Sequence, residues 1–250
     1  MYDIQDESDR NAAPRPFPFL PTVDPSQWSA EALAGVSAPR ITYKSVPSQQ
    51  SEELTRWLSG RSGAAVLVGA PSKRAGGLSL SDAYQLARTH APQLQLGGVA
   101  IPERHHRAFD EHRRMIAKTA QGCCFFVTQA VYDVHGSLSV LSDYALELQR
   151  TGAKPVPIFF TFAPCGSEKT VEFMKWLGVS FPRWLENELR AASDILERSQ
   201  RLCERNFREL VDFAKEKKLP IGFNVESVSI RKAEIEAASA LFRSLREIVS

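Results

Sequence analysis

From residue 40 onward, short apolar runs alternate with longer stretches in which apolar positions recur at helical spacing. The short runs predict strands over Ile41–Val46, Ala64–Gly69, Leu96–Ile101, Cys124–Gln129, Val156–Phe162 and Ile221–Val225. The periodic stretches predict helices over Ser51–Leu58, Leu80–Thr89, Arg107–Ala120, Leu138–Leu148, Lys169–Leu177, Trp184–Lys217 and Lys232–Val249. Strands that are apolar at consecutive positions are buried on both faces, the pattern of a parallel sheet covered by helices. No Gly-x-Gly-x-x-Gly follows any of these strands, which favours an α/β fold of the (β/α)8 TIM-barrel type over a doubly wound sheet. Tyr2–Gln5 offers a seventh strand, whereas a closed barrel needs eight. The expectation is therefore one barrel domain over 1–250 that lacks its first strand–helix unit. Residues 1–39 read as an irregular N-terminal segment, with five prolines between Asn11 and Pro25.

Charge and composition narrow the classes. The formal net charge of +2 and the lack of a basic stripe argue against nucleic-acid binding. No apolar run reaches membrane-spanning length, and the acidic, polar N-terminus MYDIQDESDR is unlike a secretory signal, so a cytoplasmic location is expected. The four cysteines, Cys123, Cys124, Cys165 and Cys203, show no Cys-x-x-Cys spacing. They read as reduced, buried thiols rather than as metal ligands or a disulfide framework, and no metal is expected.

A parallel barrel builds its site at the C-terminal strand ends. The candidates there are Asp3, Gln5, Asp6 and Glu7; Lys44 and Ser45; Gly69 to Ser72; Glu103 to His106; Thr128, Gln129, Tyr132 and Asp133; Thr161 and Cys165 to Ser167; and Asn224, Glu226 and Ser227. The stretch GGVAIPERHH (Gly97–His106) is the most unusual, since a buried strand ends in a carboxylate, a guanidinium and two imidazoles. Glu103 and Arg104 read either as a rim ion pair or as part of a site. His106 and His112 read as solvated helix-face residues. Gln129 closes an apolar strand, and a buried amide there must meet a ligand or a neighbouring loop. Ser167 reads as a helix N-cap at a position where an anion can also bind. Glu226 stays open between a structural pair and a functional carboxylate.

GGVAIPERHH, followed by Arg114 to Cys123 and by Phe126-Val127-Thr128-Gln129-Ala130-Val131-Tyr132-Asp133, resembles the methylenetetrahydrofolate reductase family. That family carries a strand ending in Pro-Glu-x-His, a helix with a lysine before an Ala-Gly turn, and a strand ending in Thr-Gln. Trp176 to Leu185 resembles its Gly-Val-x-Ile-Pro-x-Trp segment, and the likeness runs from about residue 40 to the end. The resemblance implies a (β/α)8 barrel that reduces 5,10-methylenetetrahydrofolate to 5-methyltetrahydrofolate, with FAD bridging NAD(P)H and folate. It implies cofactor contacts from His105 and Lys118, with Glu103 bracing the strand end and Thr42 joining the cofactor set. It places the tetrahydrofolate substrate against Gln129, Tyr132 and Phe162, with Gln129 also positioning the nicotinamide.

Two departures qualify the transfer. Val68-Gly69-Ala70 stands where the family's fourth strand ends in Arg-Gly-Asp, which tunes the flavin. The family's first-strand Phe-Glu-Phe segment, which bears the acid that opens the five-membered ring, has no counterpart. Glu7, Asp6 or Glu226 are the substitutes available as acid. Loss of the Arg and Asp suits a variant that passes hydride directly from nicotinamide to folate. The rival expectations are a folate-binding subunit without catalysis, a folate-dependent methyltransferase, and a truncated fragment that a homo-oligomer or a partner subunit would complete.

Overall fold

The computed structural model describes residues 39–47, 49–69 and 77–249. Chain order among them is β1 (Ile41–Ser45), α1 (Ser51–Leu58), β2 (Ala64–Val68), α2 (Leu80–His90), β3 (Gln95–Ala100), α3 (Pro102–Ala108), α4 (Glu111–Ala120), β4 (Phe125–Ala130), α5 (Val134–Thr151), β5 (Ile158–Phe162), α6 (Glu168–Trp176), α7 (Arg183–Ala191), α8 (Ile195–Lys217), β6 (Ile221–Val225) and α9 (Lys232–Ile248).

Three helices with their own capping chemistry begin at or within one residue of where the pattern predicts, whereas α5, capped by Asp133, begins at Val134 rather than Leu138. Gln50 and Glu53 form a capping box at α1, and the Gln50 N–H donates to the Glu53 carboxylate at 3.2 Å. Ser79 accepts from the Asp82 N–H at 3.1 Å to open α2, and Ser167 accepts from the Thr170 N–H at 3.2 Å to open α6. Two predicted helices are each split. The one expected over Arg107–Ala120 becomes α3 and α4, because Pro102 sets the first turn early and Phe109 leaves the helix in the left-handed region at φ 50°. The one expected over Trp184–Lys217 becomes α7 and α8, because Asp194 caps a new helix by accepting from the Glu197 N–H at 3.0 Å.

The described chain forms two compact units. The first holds β1, β2 and most of β3, with residues 117–125. Its strands pair in parallel, Ile41 opposite Ala64 and Ala64 opposite Gln95. Leu54, Leu58, Val66, Leu67 and Tyr84 are fully buried there. Gly97 is required at its position, since a Cβ there would fall 2.4 Å from the Phe125 ring.

The second unit holds residues 100–116 and 126–249. Phe126 lies opposite Ile158, and Ile158 opposite Ile221. One buried cluster joins Tyr132, Cys165, Met174, Val179, Leu185, Leu189 and Leu202. The pairing of β4 with β5 shifts register between Val127 and Ala130. Thr128 and Thr161 repair the ladder there: Thr161 N donates to Thr128 Oγ1 at 3.0 Å, and Thr161 Oγ1 donates to the Thr128 carbonyl at 2.7 Å. Bulges of this kind re-aim the side chains beside them, and Gln129 lies within this one.

The eight-unit barrel is not what the described residues form. They give an open sheet of six parallel strands in the order β1-β2-β3-β4-β5-β6, in which β6 pairs with β5 and β1 with β2. The expectation failed because βα alternation is common to closed and open parallel sheets. Closure depends on tilt, stagger and pairing of the outermost strands, which local hydrophobic pattern does not encode. The seventh strand expected at Tyr2–Gln5 lies outside the described residues. Among the described residues, no helix is long and apolar enough to cross a membrane.

Candidate functional site

Ile101 ends the extended run, its N–H donates to the buried Glu111 carboxylate at 2.9 Å, and Pro102 occupies the first helical position. This geometry sends Glu103 and His106 into a cleft of about 480 Å³, lined also by Asp133, Lys175, Gly178, Val179 and Ser180. The whole cleft lies within the second unit.

Its polar groups have distinct roles. His106 Nε2 lies 2.7 Å from Asp133 Oδ2. The other oxygen of Asp133 accepts from the Gly136 N–H at 3.3 Å and caps α5. Gly136 makes room for this arrangement, since a Cβ there would stand 2.5 Å from His106 Nε2. Glu103 keeps one carboxylate oxygen buried without a hydrogen-bond partner. Burial pushes its carboxyl up to about 7, Asp133 adds to the rise, and the Glu103 and Ser180 N–H groups and His106 oppose it. Lys175 is engaged by Glu186 at 3.0 and 3.2 Å. The cleft thus presents two carboxyl groups and an imidazole to whatever enters, and one carboxyl is poised to hold a proton near neutral pH.

Most residues expected at the site lie elsewhere. Gln129 is half-buried, and its Nε2 donates to the Leu177 carbonyl at 2.8 Å, holding the turn that carries Gly178. Tyr132 is buried; its hydroxyl donates to the Ala163 carbonyl at 2.8 Å, and its ring packs on Phe181 at 4.3 Å. Phe162 is fully buried against Phe207. These two build the core under the site. Glu226 accepts from Asn224 Nδ2 at 2.7 Å and does not line this cleft. Thr42 is half-buried on β1, and Lys118 Nζ donates to the Val99 carbonyl at 2.6 Å; both belong to the first unit. Asp6, Glu7 and Ala70 lie outside the described residues.

His105 is buried, with Nε2 3.0 Å from Asp143 Oδ2. Its Nε2 faces Asp143 inside the helical layer, and Lys118 Nζ faces a backbone carbonyl. As placed, these two do not fit a flavin. His112, expected on a solvated face, is buried as well. Asp133 stood among the strand-end candidates, but its partnership with His106 was not foreseen; a capping residue followed three positions later by glycine was the available signal.

No protein-family model and no curated protein matches the chain. A solved protein from Clostridium thermocellum does. It is 47% identical, with a TM-score of 0.83, over 91% of this chain and 79% of that one. The chain belongs to that protein's family. The relative, itself uncharacterized, binds two copies of 5-methyl-5,6,7,8-tetrahydrofolic acid. The folate half of the expected resemblance thereby gains support, while that relative does not address the reductase half.

Proposed function

We propose that this protein binds a reduced folate of the 5-methyltetrahydrofolate type, and that the Glu103–His106–Asp133 cleft receives its pterin. The observation that carries the reading is the 47% identity to a protein that binds this ligand. The cleft's chemistry agrees with it. The pyrimidine edge of a pterin offers adjacent N–H donors, which a carboxylate accepts in pairs. Asp133, fixed by its cap and by His106, is the preorganised acceptor. Isothermal titration of 5-methyltetrahydrofolate should show saturable binding that weakens at least about tenfold in His106→Ala, the loss of one good charge-assisted contact. Undiminished binding in that variant would move the ligand out of this cleft.

One observation favours a second reading, reduction of methylenetetrahydrofolate. A carboxyl held at about 7 can donate a proton at neutral pH, which is what opening the five-membered ring requires. In this reading Glu103 takes the place of the acid expected at Glu7, Asp6 or Glu226, and NAD(P)H supplies the hydride. NADH or NADPH consumption dependent on methylenetetrahydrofolate, lost in Glu103→Gln while folate still binds, is the expected result. Folate binding with no nicotinamide oxidation would leave a binding protein.

A further inference from the structure

The second unit contains a cluster that the folate cleft does not use. His105 on α3, His112 on α4 and Asp143 on α5 bring one ligand atom each within 4.8 Å of one another. Asp143 Oδ2 lies 3.0 Å from His105 Nε2 and 4.0 Å from His112 Nδ1, so one carboxylate oxygen faces two imidazole nitrogens. Both histidines are buried, at 1% and 6% exposure. The 4.0 Å separation is too long for a hydrogen bond, and His112 Nδ1 is buried with no hydrogen-bond partner, as is His105 Nδ1. A buried imidazole nitrogen aimed at a carboxylate it does not reach is an unmet cost in a packed structure.

We propose that His105 Nε2, His112 Nδ1 and Asp143 Oδ2 bind a divalent transition-metal ion of the zinc class. Two imidazoles and one carboxylate suit such an ion, whereas calcium or magnesium takes mainly oxygen ligands. Zinc bonds of about 2.0–2.2 Å set tetrahedral ligand atoms about 3.3 Å apart. The pair at 3.0 Å is already near that spacing, and the wider separations close with shifts of about 1 Å in ring position. Three separate helices carry the ligands, so the bound ion ties α3, α4 and α5 together. Asp143, 40% exposed, is the side from which an ion enters and where water completes the shell. Glu147, one turn further along α5, is held by Arg150 at 2.5 and 3.0 Å and stands outside the set.

The test is titration of the chelator-treated full chain with Co2+, followed in the visible spectrum, with Cys124→Ser as background to remove the exposed thiol. One saturating equivalent with the bands of a four-coordinate site, displaced by Zn2+, is expected. Asp143→Asn, at a partly exposed position, should weaken binding by at least roughly tenfold. His112→Gln should do the same. Absence of saturable binding, or binding unchanged in Asp143→Asn, would overturn the proposal.

Discussion

Glu103 has the most distinctive chemistry of any single residue here. Its carboxyl lies at about 7 in the fold against an ordinary value of 4.5, so the folded state takes up its proton first. The associated stability is fully present below pH 4.5 and is lost as pH rises through 7. Glu103→Gln should flatten urea-melt stability across this window. At pH 8 the variant should be the more stable protein, by on the order of 3 kcal/mol as a ceiling. Gly136 is the second decisive residue. Gly136→Ala puts a methyl 2.5 Å from His106 Nε2 and should break the contact with Asp133. Altered His106 ring chemical shifts by NMR, together with weaker folate binding, are the expected outcome. None of this was legible at the level of residue type. GGVAIPERHH marked the place, but which of its polar residues enter the cleft depends on Pro102 opening α3 and on the Phe109 turn.

Elements were more legible than the contacts they make. Strand positions came through because buried parallel strands are apolar at consecutive positions, which few other structures require. Helix starts came through at the serine caps Ser79 and Ser167, but not at the aspartate caps Asp133 and Asp194. Helix interruptions did not, because Phe109 adopts a left-handed conformation that sequence assigns to glycine or asparagine, and Asp194 caps a new helix within a continuous helical pattern. Lys218 ends α8 at φ 56° on the surface. Lys218→Gly should therefore raise stability by about 0.5–1 kcal/mol, readable as a higher melting temperature. The exchange of roles between Gln129 and the cleft residues also belongs to this scale. The register shift in β4 sends that amide to the Leu177 carbonyl, and the Gly178 turn it holds forms part of the cleft wall.

At the scale of the whole molecule, the hydrophobic pattern identified a parallel α/β protein and misjudged its closure. The core of the second unit is fixed by side chains rather than by topology. Phe207 is fully buried, with edge contacts to Phe162 and Phe223 at 5.5 and 5.2 Å. Phe207→Ala should cost about 3–5 kcal/mol, seen as a lower urea midpoint at constant slope. Phe162, expected at the substrate, joins this packing, and Tyr132, expected there too, is buried in the cluster with Cys165 and Met174. Folate chemistry was legible through local likeness at Pro102-Glu103 and Thr128-Gln129, and the Clostridium thermocellum relative supports that half of the reading. The cleft itself was not legible, because it arises where α3, the α5 cap and the turn after α6 converge, segments far apart in sequence.

The most direct test is a crystal structure of the protein with 5-methyltetrahydrofolate. Pterin density is expected against Asp133 and His106, with Glu103 within hydrogen-bonding reach. Folate density only at other surfaces, with this cleft filled by solvent, would contradict that placement.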